Sequence, residues 1–293
     1  MTKGVFMSLL RDRMSQDMER AGLAPRTRTQ YIAAIQHMAE FNRRSPELLG
    51  PDDIRAWDDE MRRRGFGPDN VGVHVAALLF LYRKTLSRPE MVSFLSFPST
   101  PRKLPTILGL DECLRLLAAL REPRYYAFFS LLFDTGLRIS EAARLKAGDI
   151  NRARGVIHVH QGKGGKDRQV KLGDRLYEVL RSFWREVRMQ EPHSEPLSKE
   201  SLLFTGRNGA PIRFGSAREA LALAAKEIGI TKRVTPHTLR HSYATLQLEA
   251  GTDLRVVQVQ LGHDSINSTQ IYLHVSTRLI RQAPSPLDSL PPP

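Results

Sequence analysis

The sequence predicts a mainly α-helical protein with a small β-hairpin or sheet, an α+β fold divided into two domains. Three observations point there. Apolar residues recur at helical spacing through most of the 293 residues. Alternation of the strand kind appears only around Val156–His160 and Gln169–Leu172, on either side of a Gly- and Lys-rich turn. Pro98, Pro101 and Pro105 interrupt the chain once, among Ser99, Thr100, Arg102 and Lys103. Proline cannot continue a helix and stiffens a linker.

The first helix is expected from Phe6 to Ala21, with Leu9, Leu10, Met14 and Met18 on one face and Gly22 as its stop. Pro25 suits a helix start before Tyr31, Ile32, Ile35, Met38 and Phe41. A third helix begins after Pro51, with Asp52 and Asp53 favourable at its positive end, and closes near Gly65. A fourth runs from Pro68 to Leu86. Four such helices make a bundle over residues 1–95, followed by a linker at 96–106. Beyond it, Leu110–Leu120 and Tyr125–Asp134 read as buried helices, and Cys113 falls on the apolar face of the first. After the hairpin, helices are expected at Arg175–Gln190, Ser216–Ile228, Thr238–Ala250 and Leu254–Leu261, then a short segment at Ser268–His274. This second domain spans 107–283, and the Pro- and Ser-rich tail 284–293 reads as disordered. There is no internal repeat.

Composition narrows the class. The chain is 41% hydrophobic and 26% charged, as a soluble globular protein is. No stretch reaches the roughly 20 apolar residues of a membrane span, and the N-terminus lacks a secretory pattern, so a cytosolic protein with no membrane partner is expected. One cysteine permits neither an intrachain disulfide nor a cysteine cluster for zinc. The net charge is +13. Residues 1–100 carry 15 Lys and Arg against 12 Asp and Glu, whereas 101–293 carry 29 against 19. Such an excess suits nucleic acid, because neutralised phosphates release counterions. Charge alone does not separate DNA from RNA or from an acidic membrane surface.

Several polar residues interrupt segments that otherwise look buried. Arg138 follows the apolar run Phe128–Leu137, with Glu141 one turn on. An anion site and a structural ion pair both fit that placement. The turn Gly162-Lys163-Gly164-Gly165-Lys166-Asp167-Arg168 places cations at a hairpin tip but lacks the Lys-Ser/Thr ending of a Walker A loop. His237 and Arg240, in Thr235-Pro236-His237-Thr238-Leu239-Arg240-His241-Ser242, share a helix face and can converge on one anion. His263 follows a helix, and Tyr272 lies nine residues later.

Together these segments resemble the box motifs of the tyrosine recombinase, or phage integrase, family. The first arginine matches Arg138, the hairpin lysine Lys163, the His-x-x-Arg box His237 and Arg240, the later histidine His263, and the nucleophile Tyr272. All six stand in order, and the helical N-terminal part is similar to that family's core-binding domain. The resemblance implies a helical core-binding domain and a mixed catalytic domain closing as a clamp on double-stranded DNA. It implies site-specific strand exchange through a 3′-phosphotyrosine and a Holliday junction, by a homotetramer or beside a second recombinase. No cofactor or metal is implied. The two arginines and His263 would neutralise the pentacoordinate phosphate, and His237 would be the base for a phenol whose ordinary pKa is about 10. Lys163 would protonate the departing 5′ oxygen, Glu141 would orient Arg138, and Val275–Gln282 would pack on a neighbouring subunit. The absence of an arm-binding domain and of the integron-type insert suggests an Xer-like or mobile-element enzyme. Three other readings are a type IB topoisomerase, a DNA-binding regulator without catalysis, and a metal-dependent nuclease, which would need a carboxylate cluster the sequence lacks.

Overall fold

The structure is a computed structural model of the 293-residue chain, and it describes residues 3–99, 104–160, 167–191, 196–206 and 209–273, with side chains from Leu9 onward. Among the described residues the fold is mostly helical with one three-stranded sheet. Two compact units divide at Arg102 and Lys103.

The first unit contains α1 (Lys3–Arg20), α2 (Pro25–Asn42), α3 (Pro51–Arg63) and α4 (Pro68–Phe80). Proline opens α2, α3 and α4, where its missing N–H costs no hydrogen bond. Their apolar faces meet in a core of Met14, Met18, Met38, Ile54, Trp57, Met61, Val75 and Leu78. The fourth helix differs from expectation. It is α-helical only to Phe80, and Leu81–Thr85 form a π turn closed by the Leu86 N–H on the Leu81 carbonyl. The widened turn buries Leu81, Tyr82 and Thr85 together, and the Tyr82 hydroxyl donates to the Pro46 carbonyl at 2.7 Å.

The second unit begins with α5 (Leu110–Ala118), α6 (Pro123–Thr135) and a four-residue helix, α7 (Ile139–Ala142), that the sequence did not predict. The antiparallel sheet follows as β1 (Ile150–Asn151), β2 (Val156–Val159) and β3 (Arg168–Lys171), in that spatial order. The expected hairpin is thus extended by one short strand. Its turn, residues 161–166, lies outside the described residues, as do the linker's basic pair and the segment Val275–Gln282. Then come α8 (Asp174–Glu186), α9 (Phe214–Glu227), α10 (Pro236–Glu249), α11 (Leu254–Leu261) and α12 (Asn267–Gln270). Helix α6 lies at the centre, packed on α5, α8 and α10. Phe128, Phe129, Leu131 and Leu132 from α6 join Ile157, Val170, Leu180, Phe183, Phe204 and Leu239 in one core. Cys113 is buried there, as its apolar spacing predicts, and burial pushes its thiol up to about 12. A smaller cluster of Tyr243, Ala244, Leu248, Val257, Leu261 and Tyr272 joins α10, α11 and the segment after α12. No helix among the described residues is long and apolar enough to cross a membrane.

Candidate active site

Two left-handed glycines build the frame. Gly136 ends α6 at φ +64° and Gly262 ends α11 at φ +63°, a backbone state that favours glycine. A side chain would clash at Gly136 and would be tight at Gly262. A Cβ on Gly136 would stand 2.4 Å from the Tyr243 ring, and one on Gly262 would stand 3.1 Å from the Arg168 guanidinium. Both helix ends are the negative poles of their dipoles, and both receive arginines.

Arg240 is the fifth residue of α10, whose start is fixed by Pro236 and by Thr235, which caps the Thr238 N–H. Arg240 is 4% exposed, and its guanidinium donates from Nη1 to the Gly136 carbonyl and from Nη2 to the Leu261 carbonyl, each at 2.6 Å. Burial, then the neighbouring Arg138, lowers its pKa to about 10, so it stays charged at neutral pH. Each Nη carries two hydrogens, which leaves a second donor on each for an anion.

Arg138 caps α7 and donates Nη2 to the Gly262 carbonyl at 3.3 Å. Its Nη1 meets Glu141 Oε1 at 2.8 Å, and its backbone N–H meets Oε2 at 2.8 Å. Glu141 is 4% exposed. Burial pushes its carboxyl up, but hydrogen bonds from Arg168 and from the Arg138 backbone, with both guanidinium charges, hold it down at about 2. The arginine pair anticipated with Glu141 is therefore one half of a larger arrangement. Arg168 is not a cation at a hairpin tip. It opens β3, its side chain is 8% exposed, and it grips both Glu141 oxygens at 3.0 and 2.8 Å.

Tyr272 lies beneath this cluster, 1% exposed. Its ring stacks on His263 with centroids 6.4 Å apart, and His263 Nδ1 pairs with Thr269 Oγ1 at 2.9 Å. The phenol oxygen faces His241 Nδ1 at 3.0 Å. The base anticipated from sequence was His237, whose ring centroid stands 6.5 Å from that of His241 on the more exposed side of α10. Sequence reasoning missed His241, although it sits in the same box and one helical turn after His237. Burial, then His237 and Arg240, lowers the His241 pKa to about 4, and burial raises that of Tyr272. Both groups are therefore neutral at pH 7, and the phenol keeps its proton. Partial withdrawal from water, then Arg240, Arg138 and Arg218, also lowers the pKa of His237. Lys163 lies outside the described residues. Among the described residues no three His, Cys, Asp or Glu side chains gather as a metal site.

The site thus brings together Arg138, Arg240, His263, Tyr272 and Glu141, with His237 nearby on α10. Arg138 and Arg168 share the Glu141 carboxylate and Arg240 adds a third guanidinium on backbone carbonyls, so the site carries excess positive charge suited to an anion. Residues 107–278 match the phage integrase family, and residues 10–90 match the N-terminal SAM-like domain of phage integrases. This chain belongs to the phage integrase family. A Sinorhizobium fredii protein provisionally named integrase/recombinase y4qK is 37% identical over 100% of this recombinase and 92% of its own length. The tyrosine recombinase XerD of Listeria innocua is 33% identical over 87% of this recombinase and 90% of its own length. In fold, the recombinase is similar to a lambda integrase dimer bound to a core site, at TM-score 0.72 and 19% identity, covering 90% of this chain and 94% of that one. The chain is accordingly a tyrosine recombinase, an enzyme of site-specific recombination.

Proposed function

We propose that this recombinase cuts and rejoins double-stranded DNA at specific sites through a covalent bond between Tyr272 and a 3′ phosphate. The observation that carries this reading is the anchoring of two guanidinium groups on consecutive carbonyls. Arg240 holds Leu261 and Arg138 holds Gly262, beside His263 and the stacked Tyr272. Two fixed cations with spare donors can bind the non-bridging oxygens of one phosphate and oppose the charge that grows on them in the transition state. The positive charge of the second unit favours the same substrate, and the lambda integrase of similar fold is itself seen on its core site.

The phenol oxygen of Tyr272 attacks phosphorus, and the bond from phosphorus to the 5′ oxygen breaks. His237 accepts the phenol proton, and Lys163 protonates the 5′ oxygen. One phosphodiester bond replaces another at the same phosphorus, so a 5′ hydroxyl from another strand can reverse the step without ATP. Tyr272 has to leave its buried place beside His241 to reach DNA, and in that resting place the phenol stays protonated. Residues 1–95 act as the core-binding domain and 107–283 as the catalytic domain. The active species is a tetramer on two DNA sites that passes through a Holliday junction, either alone or with a second recombinase.

The test uses nicked duplexes tiled across the DNA flanking the protein's own gene, in the presence of EDTA. The nick lets the 5′ fragment leave and traps the intermediate. A protein–DNA adduct with the wild type and none with Tyr272→Phe is the expected result. Sequence-specific binding without any adduct would support the non-catalytic regulator instead.

A further inference from the structure

Arg168 is a buried cation outside the set that faces the phosphate. Its guanidinium spends Nη1 and Nη2 on Glu141, and Nε donates to the Gln260 carbonyl at 2.8 Å. It also occupies the space over Gly262 that a side chain there would need. Glu141 in turn receives the Arg138 side chain and backbone N–H. One carboxylate is therefore shared between the guanidinium of the residue that caps α7 and one on β3, and the second of these is tied to the end of α11.

We propose that Arg168 is a positioning residue for strand cleavage: it holds Glu141 as a fixed anion, so that Glu141 presents Arg138 to the phosphate, and it fastens the β2–β3 hairpin to the end of α11. The inference rests on the recombinase reading of the site. Its physical basis is the cost of a buried carboxylate. With both arginines in place, four hydrogen bonds and two charges offset that cost. Without Arg168, two of the four bonds and one charge are lost while burial remains, and the carboxyl moves up from about 2. The charged groups that face Glu141 are Arg138 at the cap of its own helix, Arg168 on β3 and Arg240 on α10. A protonated Glu141 no longer attracts Arg138, and the guanidinium loses its set direction. Lysine cannot reproduce the role in full, because one ammonium cannot grip two carboxylate oxygens and a carbonyl in the geometry of a planar fork.

The test compares the wild type, Arg168→Gln, Arg168→Lys, and Arg168→Gln combined with Glu141→Gln. The first readout is the rate of adduct formation on the nicked duplex that wild type cleaves, from about pH 5 to pH 8. Arg168→Gln is expected to cleave roughly a hundredfold more slowly at neutral pH and to lose further activity, relative to wild type, as the pH falls. Arg168→Lys recovers part of the rate. Adding Glu141→Gln removes the extra acid sensitivity, because an amide does not titrate. The second readout needs no DNA. In wild type the depressed Glu141 pKa contributes stability that is present above the unfolded value near 4.5 and lost as the pH falls toward 2. In Arg168→Gln that contribution shrinks, so the melting-temperature gap to wild type narrows on acidification. If Arg168→Gln does not fold, Arg168→Lys carries both readouts, with smaller effects in the same directions. A pH profile parallel to wild type, an acid limb that survives Glu141→Gln, or a melting gap constant with pH would each overturn the inference. Failure of wild type to form any adduct would instead count against the recombinase reading, and the melting readout would still decide whether Arg168 keeps Glu141 charged.

Discussion

Replacing Gly136 by alanine tests the frame of the site. Gly136 sits at φ +64°, and its added Cβ would lie 2.4 Å and 2.8 Å from two atoms of the Tyr243 ring and 2.9 Å from a Leu261 methyl. The left-handed backbone costs a non-glycine residue about 1–2 kcal/mol. The overlap adds about 1–3 kcal/mol, the usual range for overpacking a filled core. Gly229 provides the control within the same unit. It has φ +77° and nothing within 4 Å of an added Cβ, so Gly229→Ala carries only the backbone cost. For a unit the size of Lys103–Pro293, each kcal/mol shifts the melting temperature by roughly 2–4 °C. Thermal unfolding followed by circular dichroism should therefore show Gly136→Ala several degrees below Gly229→Ala. Because the Gly136 carbonyl anchors Arg240, Gly136→Ala should also form far less adduct, while Gly229→Ala stays near wild type. Equal melting temperatures for the two variants would refute the packing argument, and full cleavage by Gly136→Ala would refute the anchoring role of its carbonyl.

Two further outcomes follow from burial. Without DNA, Tyr272 should resist nitration by tetranitromethane, mapped by mass spectrometry, because its phenol is enclosed and bonded to His241; His241→Ala should raise its modification severalfold and His241→Asn, with an amide oxygen near the Nδ1 position, should not. Nitration of wild-type Tyr272 as quickly as the half-buried Tyr31 would show that the phenol is not held. Cys113, enclosed and with its thiol pushed up to about 12, should stay unreactive toward a thiol reagent at about pH 8 until the protein unfolds; prompt reaction in the native state would contradict its core placement.

Much of this protein is determined locally, and the sequence shows it. Helix periodicity, proline at the first helical position and glycine at the last are written within single turns, so α2, α3 and α11 are found within a few residues of their expected bounds. The residue types for anion chemistry are equally visible, since Arg138, His237, Arg240, His263 and Tyr272 each stand in a short recognisable segment. What the sequence does not determine is which of these side chains meet. Arg168 reaches Glu141 across 27 positions, His241 reaches Tyr272 across 31, and the two arginines find the carbonyls of Gly136 and Gly262 across 104 and 124. Local periodicity carries no information at such separations. The contacts form only because α6, α10, α11 and β3 pack so that two helix ends and one strand start arrive at the same place. In that place, burial and neighbouring charge, which belong to the packed state alone, hold Glu141 an anion, His241 neutral and Tyr272 protonated.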